Sequence, residues 1–227
     1  MKIGILQAGH VPEELGRSIG DYTSLYTNLL QGHDFDYQTW SVVDGDFPDD
    51  VGQADGWFIS GSKHGAYEDH PWIAPLEQFV RDVYADGRPM IGVCFGHQII
   101  AQALGGKVEK FDGGWSVGRV EYDIDGKSLA LNAWHQDQVT RLPEDAQVIG
   151  SSAFCANAAL TYGDRILTLQ PHPEFGADFI DGLITGRGKG VVPDDQLATA
   201  KTNLPLSLDN EQIGRDMGAF FKRKERA

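Results

Sequence analysis

The stretch Gly92-Val93-Cys94-Phe95-Gly96-His97-Gln98 sets a cysteine between two glycines where an apolar run gives way to a helical pattern. A structural cysteine needs no such frame, whereas a nucleophile on a strand–turn–helix elbow does, because the sharp turn leaves no room for neighbouring side chains. The elbow lifts the sulfur into the open and aims the next helix at it. The unpaired N–H groups and partial positive charge of that helix end favour thiolate over thiol. The backbone N–H of Phe95 is then placed to steady a developing oxyanion. Cys155 has no such frame and reads as packing.

A cysteine nucleophile needs a histidine, and the histidine an orienting acceptor. Two pairs offer this. His172 stands between Pro171 and Pro173, with Glu174 two residues on. The prolines exclude a helix and predict an extended path on which residues 172 and 174 share a side. His135 and Asp137 have the same spacing. Composition alone does not choose between the pairs. His10, His33, His64, His70 and His97 read as loop or surface residues, with His97 facing away from the elbow. A metal centre built from Cys94, His135, His172 and Glu174 lacks paired-ligand spacing, so neither metal nor cofactor is expected. A further loop, Gly61-Ser62-Lys63 through Gly65, follows a predicted strand and would let its backbone N–H groups approach a ligand.

These residues need a scaffold. Short apolar runs at 2–6, 36–43, 56–60 and 89–94 read as strands. The segments 18–31, 73–87 and 96–106 carry apolar residues at helical spacing. The alternation predicts an α/β fold: an open, mostly parallel sheet with helices on both faces, of flavodoxin-like type. Cys94 then falls at the carboxyl end of a strand, where such sheets place their sites. Residues 118–129 and 158–170 read as hairpins, adding antiparallel strands at one edge. Helices are expected at 175–187 and 210–224, joined by a mixed connection.

The whole chain sets outer bounds. Its 227 residues suit a single domain spanning 1–227. Hydrophobic residues make up 41% and charged ones 23%, ordinary for a globular protein, and the formal net charge of −14 argues against nucleic acid or an anionic membrane as partner. Two cysteines suit a reducing compartment, and no leader or spanning segment is read, so a cytoplasmic location is expected.

Taken together and in order, "ISGS", "GVCFGHQ", "WHQDQV" and "QPHPEF" resemble the class I (triad) glutamine amidotransferases, within them the stand-alone branch similar to the amidotransferase domain of GMP synthase. The resemblance covers most of residues 1–175. It implies a triad of Cys94, His172 and Glu174, in which Cys94 attacks a side-chain amide to form a γ-glutamyl thioester that water then hydrolyses. It implies an oxyanion hole from the backbone N–H groups of Ser62 and Phe95. Substrate contacts are implied for Gly61, Gln98, Trp115, Ser116, Val117, His135 and Asp137, with Asp137 beside the substrate ammonium. The loop departs from the Gly-Gly-Pro often found in the family. No phosphate-binding motif is present, so an acceptor would be activated elsewhere. The expected function is glutamine hydrolysis that supplies ammonia to a separate synthetase partner. The alternative is a free-standing γ-glutamyl peptidase or hydrolase, and a non-catalytic binding domain ranks third.

Overall fold

The computed structural model describes residues 1–223. The elements run β1 (Lys2–Leu6), α1 (Glu13–Ile19), α2 (Tyr22–Leu29), β2 (Asp36–Trp40), β3 (Gly56–Ile59), α3 (Ile73–Asp86), β4 (Met90–Val93), α4 (Phe95–Ala103) and β5 (Lys107–Lys110). They continue with β6 (Ser116–Ile124), β7 (Lys127–His135), β8 (Asp137–Arg141), β9 (Ala146–Ser151), β10 (Ala159–Tyr162), β11 (Ile166–Leu169), α5 (Ala177–Thr185), α6 (Asp194–Asn203) and α7 (Asn210–Phe221).

Nine strands form one sheet in the order β2-β1-β3-β4-β11-β10-β9-β6-β7. The first five pair in parallel, and the last four join through antiparallel pairings, so the sheet is mixed in the way the sequence predicts. The strands at its centre are buried along their whole length, β3 and β4 without a single exposed residue. Both faces are covered. One core gathers Ile3, Ile5, Phe58, Ile91 and Val93 under α2, α5 and α7. The other gathers Leu6, Trp57, Ile59 and Met90 under α3 and α4. The amphipathic stripe of α3, with Leu76, Phe79, Val80 and Val83 buried, is the one read from its spacing.

Three local expectations need correction, those for 18–31, 36–43 and 210–224. The single helix over 18–31 is two, because Gly20 at φ 95° breaks it and Asp21 caps the second by accepting from the Ser24 N–H. The strand over 36–43 stops at Trp40 and turns into a short 3-10 segment, Val42–Asp44. The connection after residue 187 contains a helix, α6, and β5 with β8 forms a separate two-stranded sheet. The last helix ends at Phe221, and residue 224 of the expected span lies outside the described residues. Both hairpins form as read, β6–β7 around Asp125-Gly126 and β10–β11 around Gly163-Asp164.

Candidate active site

Cys94 sits between β4 and α4 with φ 52° and ψ −102°, a left-handed conformation that a cysteine adopts only under constraint. The two flanking glycines explain how the turn closes. A Cβ on Gly92 would come within 2.5 Å of the Gly96 carbonyl, and one on Gly96 would collide with the Ile59 carbonyl of the neighbouring strand. Cys94 is 6% exposed, and that small exposure opens into a cavity of about 220 Å³. Phe95 starts α4, its ring packed against Trp72 at 5.4 Å, so its N–H belongs to the unpaired first turn of a helix.

His172 lines the same cavity. It follows β11, and β11 lies directly beside β4, so both side chains leave adjacent parallel strands at their carboxyl ends. The path through 172–174 differs from the extended one expected. The Phe175 N–H donates to the His172 carbonyl at 3.2 Å, closing a turn. The turn curls Glu174 back, and its Oε1 meets His172 Nδ1 at 2.7 Å. The His172 N–H donates to the Asn132 carbonyl at 2.8 Å, and the Asn132 amide donates to the Phe175 carbonyl, so β7 holds both ends of the turn. Phe175 stacks on the imidazole at 4.0 Å and 6°, and Phe179 stacks on Phe175 at 3.9 Å. The ring therefore has its plane and its Nδ1 partner fixed.

Burial opposes a charge on His172, but the Glu174 carboxylate and the Cys94 sulfur outweigh it and push its pKa up to about 10. An imidazolium thus lies between a carboxylate and a sulfur, the arrangement that activates a cysteine and later returns a proton to a leaving group.

Tyr26 is a site residue that the sequence reading missed. Its hydroxyl donates to Glu174 Oε1 at 2.9 Å and accepts the Gly61 N–H at 3.1 Å. Burial, and after it the Glu174 carboxylate, holds this phenol well above its ordinary range, so it stays a neutral donor. One hydroxyl thereby links the acid of the pair to the loop after β3. Gly61 lies against the His172 ring, and Ser62 follows on the cavity wall. The only sequence hint was the helical spacing of Tyr26, which reads equally well as core.

The rival histidine behaves otherwise. His135 is buried at the end of β7 and lines the cavity, but its Nδ1 faces the Asp137 backbone carbonyl at 3.2 Å, not the carboxylate. Burial, with His172 adding repulsion, lowers its pKa to about 4. Its Nε2 has no partner among the described residues. Asp137 accepts from the Tyr67 hydroxyl at 3.1 Å, and burial raises its pKa. Gln98 and Trp115 line the cavity. The Gln98 amide also donates to the Asp137 carbonyl and to Gln170. Ser116 and Val117 lie along β6 opposite His135 and Trp134, behind the cavity wall. His97 faces away as read, but into the core: it is fully buried against Thr168, and burial lowers its pKa to about 3. Cys155 is buried, and burial raises its pKa to about 12, consistent with packing. Among the described residues no helix is long and apolar enough to cross a membrane.

The chain is similar to several known proteins. γ-Glutamyl peptidase 3 of Arabidopsis thaliana is 31% identical over 189 residues, covering 76% of either chain. GMP synthase [glutamine-hydrolyzing] of Thermotoga maritima is 32% identical over 164 residues, which is 68% of this chain and 31% of that longer one. A glutamine amidotransferase crystal structure from Methylobacillus flagellatus shares the fold at a TM-score of 0.75 and 21% identity, covering 100% of this chain and 96% of the other. The family described as glutamine amidotransferase class-I matches residues 32–180, and the chain belongs to it.

Proposed function

We propose that the protein hydrolyses γ-glutamyl amides through a thioester on Cys94. The observation that carries this reading is the Cys94–His172–Glu174 constellation at the end of two adjacent strands, opening into one cavity. The Cys94 sulfur attacks the γ-carbonyl carbon, and the carbonyl oxygen becomes an oxyanion against the N–H groups of Ser62 and Phe95. His172 gives its proton to the departing amine as the C–N bond breaks. Water, deprotonated by the now neutral His172, then attacks the thioester, releasing glutamate and restoring the imidazolium–sulfur pair. Tyr26 keeps donating to Glu174 throughout. At one end of the cavity Asp137, with Lys110 paired across the small sheet, suits the charged amino-acid head, and His135 Nε2 is free to donate or accept there.

The leaving group distinguishes two donor classes. Glutamine releases ammonia, which a synthetase partner would consume, and the relationship to GMP synthase supports that reading. The cavity favours a larger leaving group. Its lining includes the apolar groups of Pro12, Tyr22, Phe179 and Leu183, and the cation of Arg187 on the chain after α5. Ammonia uses none of these groups, whereas the side chain and carboxylate of a γ-glutamyl peptide would use both the wall and the cation. The peptidase relatives support this second donor. Intact-protein mass spectrometry after brief exposure to glutamine and to γ-glutamyl dipeptides tests both levels. A γ-glutamyl adduct on the wild type that disappears in Cys94→Ala is expected. An adduct that survives Cys94→Ala would end the thioester reading, and a faster rate with glutamine than with dipeptides would end the preference for a larger leaving group.

A further inference from the structure

The loop between β3 and α3 holds a side-chain cluster that the proposed reaction does not use. His70 Nε2 and His64 Nδ1 approach the same carboxylate oxygen, Glu68 Oε2, at 2.7 and 3.3 Å. One donor atom from each of the three residues lies within 4.8 Å of the other two. The rings meet edge to face at 4.3 Å, and Trp72 backs both, parallel to His70 at 6.0 Å and tilted against His64 at 5.8 Å. The backbone is tied down at three places: Glu68 N–H to the Gly65 carbonyl, Ile73 N–H to the His70 carbonyl, and His64 N–H to Ser62 Oγ. Both histidines are half-buried, so the rings are held against the protein.

We propose that His64, Glu68 and His70 form a binding site for a divalent transition-metal ion, zinc foremost. Two imidazole nitrogens and one carboxylate oxygen are a donor set that zinc takes readily, with water completing a tetrahedron. Bonds of about 2.0–2.2 Å place tetrahedral donors roughly 3.3–3.6 Å apart; the two carboxylate–imidazole distances of 2.7 and 3.3 Å lie near that, and the two ring nitrogens lie within 4.8 Å of each other, so small side-chain shifts complete the set. Hard ions such as magnesium prefer all-oxygen shells and are disfavoured here.

The position gives the ion a consequence. His64 and Glu68 line the active-site cavity, and the His64 backbone holds the Ser62 side chain. An ion joining residues 64, 68 and 70 pins the loop that carries Ser62 toward Cys94. It stabilises the folded chain by mass action, because the unfolded chain has no preformed cluster.

Zinc titration by calorimetry tests the site, independently of any reaction. The Cys94→Ser background is used beside the wild type, since a sulfur next to an imidazole also attracts zinc. One ion per chain is expected in the Cys94→Ser background, with a rise in Tm on zinc addition, and any second ion seen in the wild type is expected to be lost with the sulfur. His70→Ala in the Cys94→Ser background should weaken binding by more than about 100-fold, beyond the loss seen for residues that merely support a ligand. Glu68→Gln, isosteric and partly exposed, should weaken it in the same direction while unfolding at the wild-type Tm in chelator. Binding that requires Cys94, or that is unchanged by both His70→Ala and Glu68→Gln, overturns the proposal.

Discussion

Two histidines, each two residues before an acid, line one cavity and end in different charge states, one cationic and one neutral. At 172–174 a turn brings the carboxylate to the ring at 2.7 Å, and the imidazole keeps its proton up to about pH 10. At 135–137 the ring faces only a backbone carbonyl, and burial drives its pKa down to about 4. Both rings are almost fully buried, so burial does not explain the difference. The partners of the ring do: His172 has the Glu174 carboxylate and then the Cys94 sulfur, and His135 has neither. Asp137 is occupied with Tyr67, while Glu174 is turned inward and held by Tyr26.

The sharpest way to break this comparison is to truncate each histidine. His172→Ala should lower kcat by about 10²–10⁴-fold, the range of a positioned acid–base group, and His135→Ala by less than about 10-fold. Steady-state rates on a γ-glutamyl amide that came out in the reverse order would reassign the base. Glu174→Gln keeps the shape and removes the charge that sustains the imidazolium. A fall in kcat of roughly 10–100-fold is expected, together with an alkaline limb of the pH–rate profile that moves to lower pH. An unmoved limb would detach Glu174 from the His172 titration. Tyr26→Phe leaves the Glu174 oxygen and the Gly61 N–H one partner short, and should cost about 1–3 kcal/mol of stability by urea denaturation. A cost near zero would show that the hydroxyl link is dispensable.

The gentlest probe is pH. For His172 the folded pKa lies above the ordinary 6.5, so its stabilisation is complete below about pH 6.5 and is lost as pH rises toward 10. For His135 and His97 the folded values lie below 6.5, at about 4 and about 3. The unfolded chain therefore takes up protons that the folded one refuses, and stability falls as pH drops from 6.5 toward 4. His135→Gln should flatten the acid side of a denaturation-midpoint curve and leave the alkaline side alone. His172→Gln should do the converse.

The sequence disclosed the elbow because its cause is local: glycines two residues either side of a cysteine at a strand–helix junction. It disclosed the central strands because parallel strands buried on both faces read as continuous apolar runs. It could not separate the two histidine pairs, since counting by two assumes an extended path, and the chain through 172–175 is a turn. The partner of Tyr26 lies 148 residues away, and no local spacing encodes that contact. Helix α1 buries none of its residues and so leaves no apolar stripe to read, while α6 buries only Leu197 and Ala200. His64 and His70 look unrelated until the loop folds them onto one carboxylate.

The strand order carries one more implication. Ser62, Cys94 and His172 follow β3, β4 and β11, three consecutive members of the parallel half of the sheet, whereas Pro12, Phe179, Leu183 and Arg187 reach the cavity from the segment before α1, from α5 and from the chain after it. The proposed reacting groups are set by a hydrogen-bonded ladder, and this part of the cavity lining by pieces that pack against it. Exchanging residues such as Leu183 or Arg187 would thus retune which amines are released without moving sulfur relative to imidazole, leaving donor choice open to change while bond cleavage stays fixed.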